Sequence, residues 1–125
     1  MLYGNMSSKK VLVVEDEMII ALLIERMVTN LGHQVIDKVA SGEAAVKIAE
    51  EQEPDIILMD IRLQGEMDGI EAMLKIREKK NIPVIYISGN TDMIYQEKIK
   101  KTDYIDFLSK PITISELDRS FGLAS

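Results

Sequence analysis

Five short apolar runs alternate with five segments of helical pattern along this chain of 125 residues. Two of the runs, DIILMD and PVIYIS, are almost continuously apolar, which is typical of strands covered on both faces. Strands that alternate with helices predict a single α/β domain with a doubly wound parallel sheet. The predicted strands are Val11–Val14, Gln34–Val39, Asp55–Met59, Pro83–Ile87 and Tyr104–Leu108. The second and fifth are more mixed in polarity, so we expect them at less protected positions in the sheet.

Apolar spacing and capping signals mark the helical segments. In the first, apolar residues recur at helical spacing and predict one buried stripe, which Gly32 follows as a C-terminal cap. The stripe consists of Ile20, Leu23, Ile24, Met27 and Leu31. The predicted N-terminal caps are Ser41 for the second helix, Asp68 with Glu71 for the third, Asn90 or Thr91 for the fourth, and Thr113 with Glu116 for the fifth, which should end at Gly122.

The composition excludes several classes of protein. The chain has no cysteine, which excludes disulfide frameworks, thiolate metal sites and cysteine nucleophiles and is compatible with a cytoplasmic location. A formal net charge of −6 argues against a direct nucleic-acid surface. No apolar run approaches the ~20 residues of a membrane span. We expect a loose N-terminal leader over residues 1–9, one domain over residues 10–122 and a C-terminal tail over residues 123–125.

Chemically distinctive residues follow the predicted strands. Glu15, Asp16 and Glu17 follow the first strand and Asp60 the third, while Ser88 with Gly89 follows the fourth and Lys110 the fifth. In an open parallel sheet the ligand site lies at the carboxyl ends of the strands. Carboxylates, a hydroxyl group and an ammonium group are therefore predicted to meet at one edge of the sheet. Each of these signals is weak alone, since acids at the start of a helix are commonly solvated.

This set of residues suits phosphoryl transfer. A cluster of carboxylates without histidine or cysteine favours Mg²⁺, which takes one or two carboxylates and keeps several waters. Lys110 would hold phosphate oxygens, and Ser88 with the Gly89 amide would add hydrogen bonds. Asp60 is then the carboxylate free to attack phosphorus and form an acyl phosphate. Phosphoryl transfer needs mainly positioning and charge neutralisation, and these groups supply both.

The chain resembles the receiver domain of two-component response regulators, of the kind found in chemotaxis regulators. The motifs that carry the resemblance are VVEDE, ILMDIRLQGEMDGIEA, IPVIYISG and LSKPI, and it covers residues 10–121. The resemblance implies a flavodoxin-like fold with the strand order 2-1-3-4-5. It also implies phosphorelay signal transduction, with a sensor histidine kinase or a phosphotransfer protein as partner, an output domain or target that the sequence does not identify, and a dimer that forms on phosphorylation.

The resemblance assigns roles by position. It makes Asp60 the phosphoacceptor, Asp16 a direct Mg²⁺ ligand and Glu15 a ligand acting through water, and it gives the backbone carbonyl of Arg62 as a further metal contact. Lys110 would take the position of the family lysine, preceding a cis bond to Pro111. Such a domain assists only its own phosphorylation and dephosphorylation and is not otherwise an enzyme.

Switching would use two further residues. Ser88 occupies the position of the switch hydroxyl group, and Phe107, three residues before the lysine, that of the switch aromatic residue. The surface that changes would be formed by the fourth helix, the fifth strand and the fifth helix, including Tyr95 and Lys98.

Two features depart from the family pattern or invite another interpretation. The segment IRLQGEMDG lacks the proline common after the phosphoacceptor and is one residue longer, so its conformation is open. His33 stands alone between Gly32 and a strand, and we expect it to have a role in the turn rather than in phosphotransfer.

Two other functions fit these residues less well. A phosphatase with an aspartyl nucleophile would place an acid two residues after Asp60, where this chain has Arg62. A degenerate receiver acting as a phosphorylation-independent interaction module would usually lack an acid or the lysine, and this chain has both.

Overall fold

The computed structural model of the chain describes residues 8–89 and 97–124. The strands are β1 (Lys10–Val14), β2 (Gln34–Val39), β3 (Ile56–Asp60), β4 (Val84–Ser88) and β5 (Asp106–Ser109). The helices are α1 (Met18–Asn30), α2 (Gly42–Gln52), α3 (Gly69–Arg77) and α5 (Ile114–Leu123), and the helical residues 97–99 are labelled α4. The predicted cap of the fourth helix, Asn90 or Thr91, and Tyr95 lie outside the described residues.

The five strands form one parallel sheet in the order β2-β1-β3-β4-β5, which confirms the predicted fold class and topology. The strands of mixed polarity, β2 and β5, lie at the two edges as expected. The carboxyl ends of the five strands are nearly level. At the end of β1, Val14 pairs with Val39 of β2 and Met59 of β3, and at the end of β4, Ser88 pairs with Ser109 of β5. The residues that end or follow these strands therefore share one edge of the sheet.

Alternate side chains of the strands pack into two separate cores. On one face, Leu12 and Tyr86 belong to the core that includes α2 and α3 residues. On the other face, Val13 packs in the core that includes Ile24 of α1 and Phe121 of α5. The central strands β1, β3 and β4 are thus covered on both faces, which holds their carboxyl ends in a fixed position.

The predicted stripe of α1 is partly wrong. Ile24 and Leu31 are buried as expected, and Ile20 and Met27 pack partly buried against the same core. Leu23, in contrast, is 53% exposed, while Ala21 and Val28 are buried although they were not predicted. The segment MIIALLIERMV is apolar on most sides, so several stripes fit the sequence and only packing against the sheet selects one. Four large apolar side chains are left exposed on this helix, namely Met18, Ile19, Leu22 and Leu23.

Some predicted strand ends are displaced by one or two residues. β3 ends with Asp60 itself and β4 ends with Ser88, each one residue later than predicted. β5 begins at Asp106 rather than at Tyr104, which is 40% exposed and contacts the ring of Tyr86 at a centroid distance of 6.0 Å. Tyr104 packs against Tyr86 before the strand begins, and the sequence alone does not separate this case from a strand residue.

His33 is buried at the opposite edge of the sheet from the carboxyl ends. Its Nδ1 accepts a hydrogen bond from the Lys9 amide at 3.0 Å, and its ring lies 4.5 Å from that of Phe121. Burial lowers its pKa below the usual value, which favours the neutral form that this hydrogen bond requires. His33 therefore has a packing role far from the candidate site.

The predicted N-terminal caps of α2, α3 and α5 are confirmed. Ser41 accepts a hydrogen bond from the Ala44 amide, and capping boxes join Asp68 to Glu71 and Thr113 to Glu116. Gly32 follows α1 with φ +90°, a conformation that glycine adopts without strain.

We expect Thr113→Ala to lower the free energy of unfolding by about 1 kcal/mol, because it removes the side-chain acceptor of the α5 cap. Urea denaturation would measure this change. Thr29→Ala is the matched control, since Thr29 donates to the Glu25 carbonyl inside α1 and caps nothing. Equal losses in the two variants would contradict a capping role for Thr113.

Candidate functional site

The carboxyl edge of the sheet brings together the predicted acids, hydroxyl group and lysine. Glu15 follows β1, and its amide donates to the Val39 carbonyl of β2 at 2.9 Å. Lys110 follows β5, and its amide donates to the Ser88 carbonyl at the end of β4 at 2.8 Å. Each side chain is therefore positioned by a backbone hydrogen bond to the neighbouring strand.

The Lys110 ammonium group lies between two buried carboxylates. Its Nζ is 2.8 Å from Oε1 of Glu15 and 3.0 Å from Oδ2 of Asp60. Glu15 and Asp60 are each only 3% exposed, whereas the Lys110 side chain is 20% exposed. The Lys110–Pro111 peptide bond is cis, as the resemblance implies.

One ammonium group does not satisfy these acids. Ligand oxygens of Glu15, Asp16 and Asp60 all lie within 4.8 Å of one another, so three carboxylates share one ammonium group. A set of hard oxygens from three acids beside one ammonium group fits a divalent cation such as Mg²⁺. Both the charge and the geometry of the described residues therefore suit a metal at this position.

Backbone amides hold the carboxylates in place. The Arg62 amide donates to Oδ1 of Asp60 at 3.3 Å, and the Glu17 amide donates to Oε2 of Glu15 at 3.0 Å. These bonds leave the other oxygen of each carboxylate directed to the Lys110 ammonium group. Both acids are thus oriented before any ligand enters.

An open cleft leads to the acids. Its lining consists of Asp16, Glu17, Asp60, Arg62, Gln64, Gly89 and Lys110. Gln64 was not predicted from the sequence as a site residue, because its position depends on the loop after β3. The available signal was only that Gln64 lies four residues beyond Asp60.

Burial dominates the electrostatics of the site. It raises the pKa of Glu15 from 4.5 to about 7, against the opposing effect of the Lys110 ammonium group. Burial also raises the pKa of Asp60, again opposed by Lys110. For Lys110 burial acts to lower the pKa, but its contacts with Glu15 and Asp60 outweigh this effect and the pKa is raised. A metal bound at these acids would therefore compete with protons for the carboxylate oxygens.

The loop after β3 turns without the proline that is usual in the family. Gly65 has φ +102° and supplies a bend that other residues adopt only with strain. The loop closes where the Gly69 amide donates to the Ile61 carbonyl at 2.8 Å. The conformation that the sequence left open is thus a compact turn that returns to the end of β3.

The two predicted switch residues lie on neighbouring strands. Ser88 is 1% exposed at the end of β4, and Phe107 of β5 is partly buried against the α2/α3 core. Phe107 pairs in register with Tyr86, whose hydroxyl group shares a 2.7 Å hydrogen bond with Thr102. Burial raises the pKa of Tyr86 to about 12. The switching roles of Ser88 and Phe107 stay predictions.

The sequence from residue 11 to residue 121 matches the family model of the response regulator receiver domain. The chain belongs to this family. It is therefore a receiver domain of two-component signalling, in agreement with the resemblance drawn from the motifs.

Relatives and solved structures agree with this assignment. The transcriptional regulatory protein PdtaR of Mycobacterium tuberculosis (strain CDC 1551 / Oshkosh) is 28% identical over 93% of this chain and 56% of its own length. The receiver domain of a modulated diguanylate cyclase from Desulfovibrio desulfuricans G20 is 32% identical with a TM-score of 0.89 and covers 94% of both chains.

A third similar protein has a metal in its site. The receiver domain of the sensor histidine kinase PA1611 from Pseudomonas aeruginosa PAO1 was solved with a magnesium ion coordinated in the active site cleft. It is 35% identical to this chain, with a TM-score of 0.82 and coverage of 95% of this chain and 100% of that one.

The chain spans about half, or less, of the length of the curated relatives it matches. Across residues 8–89 and 97–124, none of the helices combines the length and apolar character needed to cross a membrane.

We expect Glu15→Gln to stabilise the metal-free protein at pH 8 but not at pH 5. The folded pKa of about 7 exceeds the ordinary value of 4.5, so the stability that Glu15 contributes is complete below pH 4.5 and is lost as the pH rises through 7. Glutamine is never charged and avoids that loss. Thermal unfolding with a chelator would show a higher Tm for the variant at pH 8 alone.

The control for this comparison is Glu51→Gln, at an exposed position of α2. An equal shift of the Tm at both pH values for Glu15→Gln would contradict the raised pKa.

Proposed function

We propose that this chain is a Mg²⁺-dependent phosphoacceptor that takes a phosphoryl group from a histidine kinase or a phosphotransfer protein onto Asp60. The observation that carries this proposal is the buried pair of Glu15 and Asp60 around Lys110, with Asp16 beside it. Two buried acids held by one ammonium group are costly unless a cation shares the site. A receiver domain that brings these four side chains close together has the groups that phosphorylation needs.

In the proposed reaction, an oxygen of Asp60 attacks the phosphorus atom of a phosphohistidine. The O–P bond forms as the P–N bond breaks, the imidazole leaves with its electron pair, and the product is an acyl phosphate. Bound Mg²⁺, held by Asp16, Asp60, the Arg62 carbonyl and, through water, Glu15, would neutralise charge on the phosphoryl oxygens. Lys110 binds a phosphoryl oxygen and keeps Asp60 oriented, and the Ser88 hydroxyl group donates a hydrogen bond to another phosphoryl oxygen.

Incubation with Mg²⁺ and acetyl phosphate tests this proposal. We expect intact mass spectrometry to show one phosphoryl adduct on the wild type and none on Asp60→Asn. Asp55→Asn is the matched control, because Asp55 precedes the same strand at its opposite end. An adduct on Asp60→Asn equal to that of the wild type, or no adduct on the wild type, would overturn the proposal.

The exposed apolar residues of α1 support a protein as the phosphodonor. Met18 and Ile19 are each 76% exposed, and Leu22 and Leu23 are 49% and 53% exposed. Leu22 lines a depression together with Glu15 and Asp16, and Leu23 lines another together with Gly89 and Lys110. The apolar surface is therefore continuous with the acidic cleft. A phosphohistidine protein that covers α1 would bring its imidazole to Asp60.

We expect Ile19→Gln to slow phosphoryl transfer from a histidine kinase that phosphorylates the wild type, by about tenfold if the residue is central to the interface. The rate with acetyl phosphate should not change, because Ile19 does not line the acidic cleft. Leu123→Gln is the control, since Leu123 is 60% exposed on α5. Equal loss with both donors would argue that the substitution disturbs the site itself.

We propose no turnover of an external substrate. Arg62 is placed beside Asp60 where an aspartyl phosphatase would need a general acid. The alternative of a degenerate receiver is not favoured, because the acids and the lysine are all present and Lys110 contacts both Glu15 and Asp60.

The proposed output is a change in the α4–β5–α5 surface, transmitted to an attached domain or a separate target. Lys98 of α4 forms an ion pair of 2.5 Å with Asp68, which links this surface to the start of α3. We further propose a cytoplasmic location and pairing of two chains on phosphorylation.

A further inference from the structure

We propose that Gly69 is a positioning residue for phosphoryl transfer, because its missing side chain lets the first turn of α3 lie directly against the main chain of Asp60. The inference rests on the proposed function of Asp60. It adds a residue that neither binds metal nor touches the phosphoryl group.

The contact at Gly69 leaves no room for a methyl group. A Cβ atom there would lie 2.1 Å from the carbonyl oxygen of Asp60 and 2.8 Å from Cγ of Met59. The nearer of these atoms belongs to the backbone, so it moves only if the end of β3 moves. The φ angle of Gly69 is not positive, so the position requires glycine for space rather than for its backbone conformation.

The end of β3 has little freedom to move. The Ile61 amide donates to the Ile87 carbonyl of β4 at 3.1 Å, and Asp60 pairs with Ile87 in the sheet. From the other side, the Gly69 amide donates to the Ile61 carbonyl at 2.8 Å. A side chain at position 69 would therefore either displace α3 or rotate the peptide that follows Asp60.

That peptide determines where the Asp60 carboxylate points. Oδ1 of Asp60 accepts from the Arg62 amide, and Oδ2 contacts the Lys110 ammonium group. Rotation of the main chain at Asp60 or Ile61 would break this arrangement and move the nucleophilic oxygen. A displacement of about 1 Å is enough to cost roughly 100-fold in rate when a reaction depends on positioning.

Gly42 provides a matched comparison. It begins α2 and contacts the same loop, but a Cβ atom there would lie 3.1 Å from Cγ and from the carbonyl oxygen of Met67 and would not meet Asp60. These distances require shifts of only a few tenths of an ångström. Gly42→Ala therefore tests a buried glycine at a helix start without a contact to the phosphoacceptor.

The first experiment compares Gly69→Ala with Gly42→Ala in the full chain. We expect Gly69→Ala to weaken Mg²⁺ binding, measured by calorimetry, and to lower the maximal rate of phosphorylation by acetyl phosphate about 10- to 100-fold. In the metal-free protein the amide resonance of Arg62 should shift. Gly42→Ala should change the binding and the rate by less than about twofold, even where its Tm falls equally.

A second pair of variants decides the matter if Gly69→Ala does not fold. Asp68→Ala removes the cap that holds Gly69 in place, and Ser41→Ala removes the equivalent cap of α2. We expect Asp68→Ala to lower the Mg²⁺ affinity and the maximal phosphorylation rate severalfold, and Ser41→Ala to leave both unchanged. Asp68→Asn keeps a capping oxygen without the charge and should restore wild-type values.

The possible outcomes separate this inference from the proposed function. If the wild type accepts no phosphoryl group, the proposed function fails. The Arg62 amide resonance and the Mg²⁺ affinity of Gly69→Ala, compared with those of Gly42→Ala, still test whether Gly69 positions Asp60. If the wild type is phosphorylated and Gly69→Ala matches Gly42→Ala in every measurement, the inference is overturned. With Gly69→Ala unfolded, equal behaviour of Asp68→Ala and Ser41→Ala overturns it instead.

Discussion

The ion contacts of Lys110 with Glu15 and Asp60 are the interaction on which the rest of this structure depends. Removing two carboxylates from water is costly, and one ammonium group at 2.8 and 3.0 Å compensates only part of that cost. At Glu15 the effect of burial exceeds that compensation, since burial raises the pKa of this carboxyl group to about 7. A cation bound beside these carboxylates would offset more of that cost.

The two cores supply the rigidity that this arrangement needs. Strands β1, β3 and β4 are covered on both faces, so Glu15, Asp60 and Ser88 extend from backbone that packing fixes on either side. Helix α1 leaves four large apolar side chains exposed, and this surface adjoins the cleft. The same scaffold therefore buries the acids of the candidate site and leaves an exposed apolar surface beside them.

Most of the fold and of the candidate site could be predicted from the sequence. Near-continuous apolar runs indicated the central strands, and the residues that follow them had to meet because parallel strands end at one edge. Leu23 was wrongly assigned to the buried stripe because α1 is apolar on most sides. Tyr104 was wrongly assigned to β5 because an aromatic residue that packs beside a strand has the same sequence pattern as a strand residue. Gln64 and Gly69 were missed for another reason, since their roles depend on distances across the loop after β3 that no local pattern encodes.

Tyr86 gives the protein an intrinsic optical reporter. The chain has no tryptophan and four tyrosines, so its near-ultraviolet absorption and emission arise from a small set of phenol rings. Tyr86 is fully buried, shares a hydrogen bond with Thr102 and lies two residues from Ser88. Any rearrangement of β4 that alters this hydrogen bond should change the circular dichroism and fluorescence of that ring, so the domain can be followed without an added label.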